Sequence, residues 1–267
     1  MNIQVKITHF DTAMALIEIG SIRLLTDPVF DPPGSHFEYG PIVLEKTSRP
    51  LITPSELGRI DAVLLSHDQH ADNLDTAGRL FLPSAGNVIT TPLAASRLQE
   101  LNNVIGLESF AQTSIHSSDG TITITITAVP AQHGPDGTEA ATGPVTGFIV
   151  DWPNRQSDSG PIYLSGDTIR FAGTEEIASR YAPIGLALLN LGRVRLVPMG
   201  DAEFSLSATE ALAYARSLKA SSIVPLHVEG WRHFSEARDE AIEIFNESEL
   251  ATRTCWLSPG IPTTFEL

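Results

Sequence analysis

The clearest pattern along the chain is the strict alternation of threonine and isoleucine over residues 121–127. The isoleucines fall on one face and the threonines on the other, which predicts a strand with one buried face. Apolar runs bounded by turn residues predict further strands over residues 3–8, 13–19, 22–26, 144–152, 161–164 and 222–226, and near Trp256. The strands at 144–152 and 161–164 form a predicted hairpin, joined by a polar loop at residues 154–160.

Helix starts are indicated by capping residues. Thr53 and Ser207 each stand three residues before a glutamate, an arrangement in which the two side chains satisfy backbone amides at the start of a helix. Thr91-Pro92 opens another predicted helix, because proline suits the first turn. The predicted helices begin at Thr53, run from Thr91 to residue 101 and from Ser207 to residue 218, and cover residues 235–247.

Strands dominate the middle of the chain, and helices are spaced between them, most clearly late in the chain. This order predicts an α/β (α+β) protein in which two mixed sheets pack face to face with helices outside, a four-layer αββα sandwich. No repeat or flexible linker divides the sequence, so residues 1–267 are expected to form a single domain. Residues 27–49 are rich in proline and glycine and are expected to form a long loop that acts as a lid over the substrate.

Composition and charge narrow the class of protein. With 42% hydrophobic residues the chain is expected to fold, and no apolar stretch is long enough for a membrane helix. The first residues lack the form of a signal peptide and Cys255 is the one cysteine, so a cytoplasmic location is expected. A net charge of −15 argues against a nucleic-acid surface. It leaves a small anionic substrate open, because a bound metal inverts the local field.

A cluster of titratable side chains follows the apolar residues 62–65. The sequence from Ser66 to Asp75 holds His67 and His70 together with several carboxylates in one short loop. Repulsion makes such a cluster costly unless a positive charge lies within it. A divalent cation is the simplest candidate, because histidine nitrogen and aspartate oxygen are ordinary ligands of such ions.

Similar side chains follow three other predicted strands. His133 follows the threonine–isoleucine strand, and Asp167 and His227 follow two later ones. If these strand ends share one edge of the fold, their side chains converge with the loop at 66–75 on one pocket. A metal ion needs three or four rigidly held ligands, and strand ends supply that rigidity. The sequence therefore predicts a metal site at the edge of a sheet.

In this order and spacing, the motifs resemble the metallo-β-lactamase fold superfamily, and within it the hydrolase branch that includes ascorbate-6-phosphate lactonase-like and phospholipase-D-like members. The resemblance extends over nearly the whole chain, through Leu25-Thr26-Asp27-Pro28, Ser66-His67, Ser165-Gly166-Asp167-Thr168, Pro225-Leu226-His227 and Trp231. It implies the αββα fold, with Asp167 bridging two ions. The metal ligands that it implies are His67, His70, Asp72, His133, Asp167 and His227.

The chain departs from the signature of that superfamily, His-x-His-x-Asp-His. Counted from His67, the second histidine position holds Gln69, and counted back from Asp72, the first histidine position holds Asp68. Asn73 stands where the last histidine of the signature belongs. The roles of Asp68, Gln69 and Asn73, as ligands or as neighbours of the ligands, therefore stay open, and so does the number of ions.

The mechanism that the resemblance implies is metal-assisted hydrolysis of a small-molecule ester, lactone or phosphoester. A bound ion lowers the pKa of water towards about 7, and the resulting hydroxide attacks the carbonyl or phosphoryl centre. Asp72 and Asp167 are the catalytic carboxylates, and Asp72 orients the water. Zinc is the expected ion, as one or two ions per chain, with manganese or iron as alternatives. The leaving-group acid stays open among His9, His36 and His233.

Several candidates have a structural interpretation as well as a functional one. Asp27 precedes a proline and is either a turn residue or a neighbour of the metal pocket. Asp72 suits the cap of a helix that starts near Leu74, a role compatible with metal binding. Contact with the substrate is expected from four residues: His36, Arg193, Trp231 and His233.

Two hypotheses of other classes accompany the hydrolase. The altered signature permits a metal-poor binding or regulatory protein that keeps the fold without turnover. A nuclease of the same superfamily is the third hypothesis, and the acidic balance of the chain counts against it. The expected partner is a small molecule, with neither nucleic acid nor a membrane, and the sequence leaves the oligomeric state open.

Overall fold

Two stacked β-sheets form the centre of the structure, a computed structural model that describes residues 3–153, 155 and 159–267. The described strands, in chain order, are β1 Val5–Asp11, β2 Met14–Ile19, β3 Ile22–Thr26, β4 His36–Tyr39, β5 Ile42–Glu45, β6 Ala62–Leu64, β7 Val88–Thr90, β8 Val104–Gly106, β9 Gln112–His116, β10 Thr123–Ala131, β11 Val145–Asp151, β12 Ile162–Leu164, β13 Leu186–Asn190, β14 Ser222–Leu226 and β15 Thr263–Phe265.

The two sheets share a mixed design. The first has the strand order β15-β1-β2-β3-β6-β7-β8, and the second has the order β14-β13-β12-β11-β10-β9. Each combines antiparallel pairs with parallel ones, and β12, β13 and β14 run parallel to one another. Because parallel neighbours end at the same edge of a sheet, the residues that follow these three strands lie side by side.

Helices cover the outer faces of both sheets. They are α1 Thr76–Phe81, α2 Pro92–Arg97, α4 Ala172–Tyr181, α5 Ala208–Ser217 and α6 Arg238–Asn246, whereas the short α3 Glu139–Thr142 borders a cavity that His70 and His133 also line. Short 3-10 helices occupy Leu82–Ser84, Val197–Met199 and Ala251–Arg253. A buried cluster between the sheets joins Ile17 of the first sheet to Ile126 of the second. Phe81 packs on the outer face of the first sheet, and Tyr214 packs on the outer face of the second. The predicted four-layer αββα sandwich is confirmed.

Element boundaries differ from the sequence predictions in the first half of the chain. The strand predicted over 121–127 runs over Thr123–Ala131, because the side chains of Ser117 and Asp119 hold the preceding residues in a turn. The helix predicted at Thr53 is wrong. Thr53 and Glu56 do form the expected capping contacts, with 2.9 Å between Thr53 N and Glu56 Oε2, but they close only a turn.

The later boundaries differ less. The capping box at Ser207 opens α5 as predicted, and α6 covers the middle of the predicted helix at 235–247. The last strand is β15 rather than a strand at Trp256, where Thr254 makes only an isolated bridge to Ile223. The predicted hairpin of β11 and β12 forms, but most of the polar loop at 154–160 lies outside the described residues. Among the helices of the described residues, none is long and apolar enough to cross a membrane.

The segment at 27–49, predicted as a loop, contains the antiparallel hairpin of β4 and β5. Its base is fixed by Lys46, whose side chain is fully buried. The Lys46 Nζ lies 2.9 Å from Asp11 Oδ2 and 3.6 Å from Asp75 Oδ2, and 5.4 Å from the ring centroid of Trp231. Because Asp11 ends β1 and Asp75 caps α1, this ion cluster ties the hairpin to both ends of the neighbouring structure.

We expect the substitution Lys46→Met to destabilise the protein by about 3–5 kcal/mol, because it leaves two buried carboxylates without their cation. The free energy of unfolding, measured by urea denaturation, checks this. Lys6→Met is the matched control, because Lys6 is exposed on β1 and should change stability by less than about 0.5 kcal/mol. Equal effects of the two substitutions would contradict the role of Lys46.

Candidate metal centre

Four strand ends meet at one edge of the sandwich. His67 follows β6 of the first sheet, while His133, Asp167 and His227 follow β10, β12 and β14 of the second. His70 and Asp72 come from the loop that His67 opens, so all six implied ligands lie at this edge. Their ligand atoms form two clusters, which we name the imidazole group (His67, His70 and His133) and the carboxylate group (Asp72, Asp167 and His227).

The imidazole group brings three ring nitrogens into close contact. His70 Nδ1 lies 3.2 Å from His67 Nε2 and 3.0 Å from His133 Nε2. Two donors about 2.0–2.1 Å from a tetrahedral zinc ion lie roughly 3.3–3.4 Å apart, so these separations suit a shared cation. Burial lowers the pKa of His133 to about 4 and lowers that of His67 well below its usual value, and the neighbouring imidazoles add to the effect on His67. These rings are therefore neutral near pH 7.

Two of the outer ring nitrogens face carbonyl oxygens. His133 Nδ1 contacts the carbonyl oxygen of Phe204, and His70 Nε2 lies 3.4 Å from that of Ala141. A carbonyl oxygen only accepts, so both of these nitrogens carry a proton. Because the ring of His133 is neutral, its Nε2, which faces His70, is a bare lone pair.

His67 follows the same rule through a serine. Its Nδ1 lies 3.0 Å from Ser66 Oγ, and that hydroxyl donates to Asp27 Oδ2 at 3.0 Å. With its proton used on Asp27, the hydroxyl accepts the proton of His67 Nδ1, which leaves Nε2 unprotonated. Nε2 of His67 and Nε2 of His133 are thus bare lone pairs that both face His70 Nδ1, and a bound cation satisfies such an arrangement.

The carboxylate group lies directly beside the imidazole group. His227 Nε2 is 3.4 Å from Asp72 Oδ2 and 3.5 Å from Asp167 Oδ2, and the same Asp167 oxygen is 4.0 Å from His133 Nε2. Asp167 therefore stands between the two groups, as the resemblance implies. The atoms Asp72 Oδ1, Asp167 Oδ2 and His227 Nε2 are buried and have no hydrogen-bond partner, so a cation fits here too.

Backbone geometry aims these side chains. Gly166, directly before Asp167, has a φ of 58°, and a Cβ there would lie 2.7 Å from the carbonyl oxygen of Thr146. His227 itself has a φ of 57°, a strained value for a side chain with a Cβ. Its amide donates to the carbonyl oxygen of Thr12 at 2.8 Å, and its Nδ1 lies 3.2 Å from that of Leu191. These contacts hold the unusual conformation and direct Nε2 at the carboxylates.

Charge at the carboxylate group favours a positive occupant. Burial opposes the charged form of His227, but Asp167 and Asp72 outweigh it and raise its pKa to about 9. Burial likewise opposes ionisation of Asp72, yet the facing imidazoles of His227 and His233 hold the pKa of Asp72 well below its usual value. The electrostatic potential that retains a proton on His227 also attracts a divalent cation.

The structure places three of the four uncertain residues away from the ligand atoms. Asp68 pairs with Arg97, at 2.9 Å between Arg97 Nε and Asp68 Oδ2, so its carboxylate is not at either group. Gln69 accepts from the Asp68 amide and reaches the carbonyl oxygen of Pro144. Asn73 donates to Asp27 Oδ2 at 3.2 Å. The loop from His67 to Asp72 is one residue longer than the signature, and Asp68 and Gln69 point away from the ligand atoms. Asn73 does not replace the last histidine of the signature.

Asp27, the fourth uncertain residue, supports His67 from behind. Its Oδ1 accepts the amide of Ser66 at 2.7 Å, and its Oδ2 accepts the Ser66 hydroxyl that holds His67 Nδ1. Burial raises the pKa of Asp27 to about 7, against hydrogen bonds from Ser66 and Asn73 that lower it. Of the two interpretations of Asp27, the structure favours the neighbour of the metal pocket. Asp72 does not cap the following helix, because Asp75 does.

Of the four residues expected to contact the substrate, one lines the cavity at the candidate metal centre and three do not. His233 lines a cavity of 270 Å³ at the metal centre, and its Nε2 lies 3.0 Å from Asp72 Oδ2. His36 is exposed beside Glu45, and Arg193 pairs with Glu203 at 2.7 Å, so both lie outside the cavity lining. Trp231 is buried behind the cavity, where its indole donates to Thr12 Oγ1, because its ring forms part of the hairpin support.

Several residues that shape the site were not predicted from the sequence. Asn190 donates from Nδ2 to Asp167 Oδ1 at 2.9 Å, and its signal was available, because it is a polar residue at the end of a buried strand. Phe204 offers its carbonyl oxygen to His133, and its ring lines the cavity. Tyr39 also lines the cavity and packs edge-on against His70. Neither contact has a local signal in the sequence.

Comparison with known proteins agrees with this geometry. The family model of the β-lactamase superfamily domain matches residues 22–228, which include both ligand groups. The chain belongs to this superfamily. A UPF0173 metal-dependent hydrolase from Pyrococcus abyssi is 26% identical to it over 260 residues, which cover 96% of this chain and 97% of the relative.

Solved structures of this superfamily share the fold. The isothiocyanate hydrolase from Delia radicum gut bacteria is 20% identical, with a TM-score of 0.82 over 98% of this chain and 100% of that one. A possible metal-dependent hydrolase from Veillonella parvula is 17% identical, with a TM-score of 0.80 over 99% and 100% of the two chains. The prediction of a metal-dependent hydrolase of the metallo-β-lactamase fold is confirmed at the level of the family.

We expect Asp72→Asn to lose metal and Asp68→Asn to keep it. The first substitution neutralises a carboxylate inside the carboxylate group, whereas the second neutralises a carboxylate that faces Arg97. Metal content per chain, measured by plasma mass spectrometry after dialysis against zinc, distinguishes the two. Loss of metal from a folded Asp68→Asn protein would place Asp68 among the ligands and contradict the structure.

Proposed function

We propose that this chain is a hydrolase that binds two divalent cations, one at the imidazole group and one at the carboxylate group, with Asp167 between them. The observation that carries the proposal is the set of three imidazole nitrogens that face one another at 3.0 and 3.2 Å. A divalent cation accepts imidazole nitrogens at such separations. Each group offers three protein donors although Asn73 replaces a histidine of the signature, which argues against a metal-poor binding protein.

When bound, the cations supply a hydroxide nucleophile near neutral pH and polarise the bond that is cleaved. The side chains of the protein hold the reactants around them. His233 donates from Nε2 to Asp72 Oδ2, which leaves the buried Asp72 Oδ1 free to accept a hydrogen bond from the attacking water and orient it. Asn190 occupies Asp167 Oδ1 in the same way, so that Oδ2 is kept for the cations.

We propose zinc as the ion. Imidazole nitrogens provide three donors of one group and one of the other, and zinc accepts nitrogen and carboxylate oxygen together in small coordination numbers. The carboxylate group is richer in oxygen, a donor set that manganese and iron also accept. Metal content of the protein purified without added metal distinguishes these ions.

The substrate class that we propose is a small-molecule ester, lactone or phosphoester, because the cavity of 270 Å³ admits a small molecule and each of these has an electrophilic centre open to hydroxide. A second candidate is an isothiocyanate, the substrate in the name of the Delia radicum gut-bacterial relative. Its uncharged electrophilic carbon suits a cavity whose lining includes aliphatic side chains such as Leu44 and Leu196.

We expect Asp167→Ala to lose turnover and to lower the bound metal at the same time, because one carboxylate serves both groups. Hydrolysis of a panel of esters, lactones, phosphoesters and isothiocyanates, together with metal content, checks this. Asp201→Ala is the matched control, because Asp201 is exposed in a turn and should keep both properties. An Asp167→Ala protein that retains activity with full metal would refute the assigned site.

A further inference from the structure

The cavity at the metal centre has two kinds of lining residue. His70, Asp72, His133 and His233 are titratable, and most of the remaining lining is aliphatic or aromatic. We name five of the apolar lining residues the apolar wall. They are Ile42 and Leu44 of β5 together with Val194, Leu196 and Phe204, which follow β13 in the chain. A molecule whose reacting bond lies at the ligands must therefore place the rest of its body against this apolar wall.

Cations near the cavity are already paired with carboxylates of the protein. Arg79 and Arg97 both pair with Asp68, and none of the three lines the cavity. The residues that line it include no lysine or arginine in the described part of the chain. An anionic group far from the ligands thus meets no cation of the protein at the cavity wall.

Other cations that lie close in sequence to lining residues are also paired with carboxylates. Arg193 and Arg195 both pair with Glu203, at 2.7 and 2.5 Å, beside the wall residues Val194 and Leu196. On the hairpin side, Arg232 pairs with Glu45 at 2.6 Å, and Lys46 is buried between Asp11 and Asp75. Each of these cations has a fixed carboxylate partner, and the net charge of the chain is −15. The surroundings therefore do not attract a second negative charge.

We propose that the enzyme acts on small molecules whose group remote from the cleaved bond is uncharged and apolar. The inference rests on the proposed function and narrows its substrate class. A remote carboxylate or phosphate would lose its hydration against Leu44 and Leu196 without gaining a partner, whereas an alkyl or aryl group gains by burial there. Esters, lactones and isothiocyanates with apolar bodies fit this requirement, and sugar phosphates do not.

Tyr39 supplies the polar contact that such a substrate needs near its reacting end. Its hydroxyl oxygen accepts the amide of Ala71 at 3.0 Å, so its own proton remains free to donate. Tyr39 lines the cavity with its ring edge-on to His70, and its hydroxyl contacts the residue that lies between His70 and Asp72. A hydrogen bond from Tyr39 therefore orients a neutral oxygen, nitrogen or sulfur next to the cleaved bond while the apolar wall receives the remainder.

The test uses a matched pair of metal-binding probes on the zinc-loaded protein. Hexanohydroxamic acid and adipic monohydroxamic acid share the group that binds the metal and the length of the chain, and they differ in a terminal methyl or carboxylate. We expect calorimetric titration to show that the methyl-ended probe binds at least about tenfold more tightly, because only the carboxylate loses hydration without a partner. Equal affinities, the reverse order, or no binding of either probe to a metal-loaded sample would overturn the inference.

A pair of charge-introducing variants locates the effect. Leu196→Arg adds a cation to the apolar wall and should remove or reverse the preference, whereas Val197→Arg adds the same charge to a neighbouring side chain that is 96% exposed and outside the cavity lining. An unchanged preference in Leu196→Arg would place the probe elsewhere. Metal content of each sample separates the two proposals: absence of metal refutes the hydrolase, whereas a metal-loaded protein that prefers the anionic probe refutes only the substrate class.

Discussion

Buried polar atoms that lack a hydrogen-bond partner, such as Asp167 Oδ2 and His227 Nε2, are the constraint around which this structure is arranged. Beside them, the three imidazoles of the imidazole group turn their inner nitrogens towards one another, because their outer nitrogens are committed to Ser66, Ala141 and Phe204. Such an arrangement is unfavourable by itself, since the buried polar atoms have lost water without gaining a full set of partners. A bound cation removes that cost, so the contacts that hold the rings also prepare them to bind a metal ion.

The same logic explains why the ligands lie on strand ends. β12, β13 and β14 run in parallel through the core, and their ends deliver Asp167, Asn190 and His227 side by side. Apolar packing between and outside the sheets fixes these strands, and the fixed strands then hold charged groups that would otherwise separate. The strained backbone of His227 is tolerated because its amide donates to Thr12, in the turn between β1 and β2, and its Nδ1 contacts Leu191, directly after β13.

The hairpin of β4 and β5 carries three of the residues that line the cavity at the candidate metal centre. Tyr39, Ile42 and Leu44 face the ligands from this hairpin, and the buried Lys46 anchors its base to Asp11 and Asp75. A buried ion pair contributes little net stability compared with an apolar contact, but it fixes position, because any shift leaves charges unpaired. The position of the apolar wall relative to the ligands therefore depends on an ion cluster on the far side of the hairpin.

The sequence by itself determined the layers of the fold, and its resemblance to the superfamily implied the six residues that meet at the candidate metal centre. Alternation over 121–127, the capping box at Ser207 and the polar residues after apolar strands are local signals, and burial of the apolar faces gives them a single outcome. A local signal gave a wrong prediction at Thr53, where a helix was expected. Its capping contacts close only a turn and no helix follows.

Only the tertiary structure decided the remainder. The outward turn of Asp68 depends on Arg97, Asn73 depends on Asp27, and His233 reaches Asp72 from 161 positions away. The apolar wall likewise joins Leu44 with Leu196, from segments that no periodicity connects. The physical reason is that a strand end fixes which residue reaches the edge of the sheet, whereas the partner that each side chain finds there depends on segments distant in sequence.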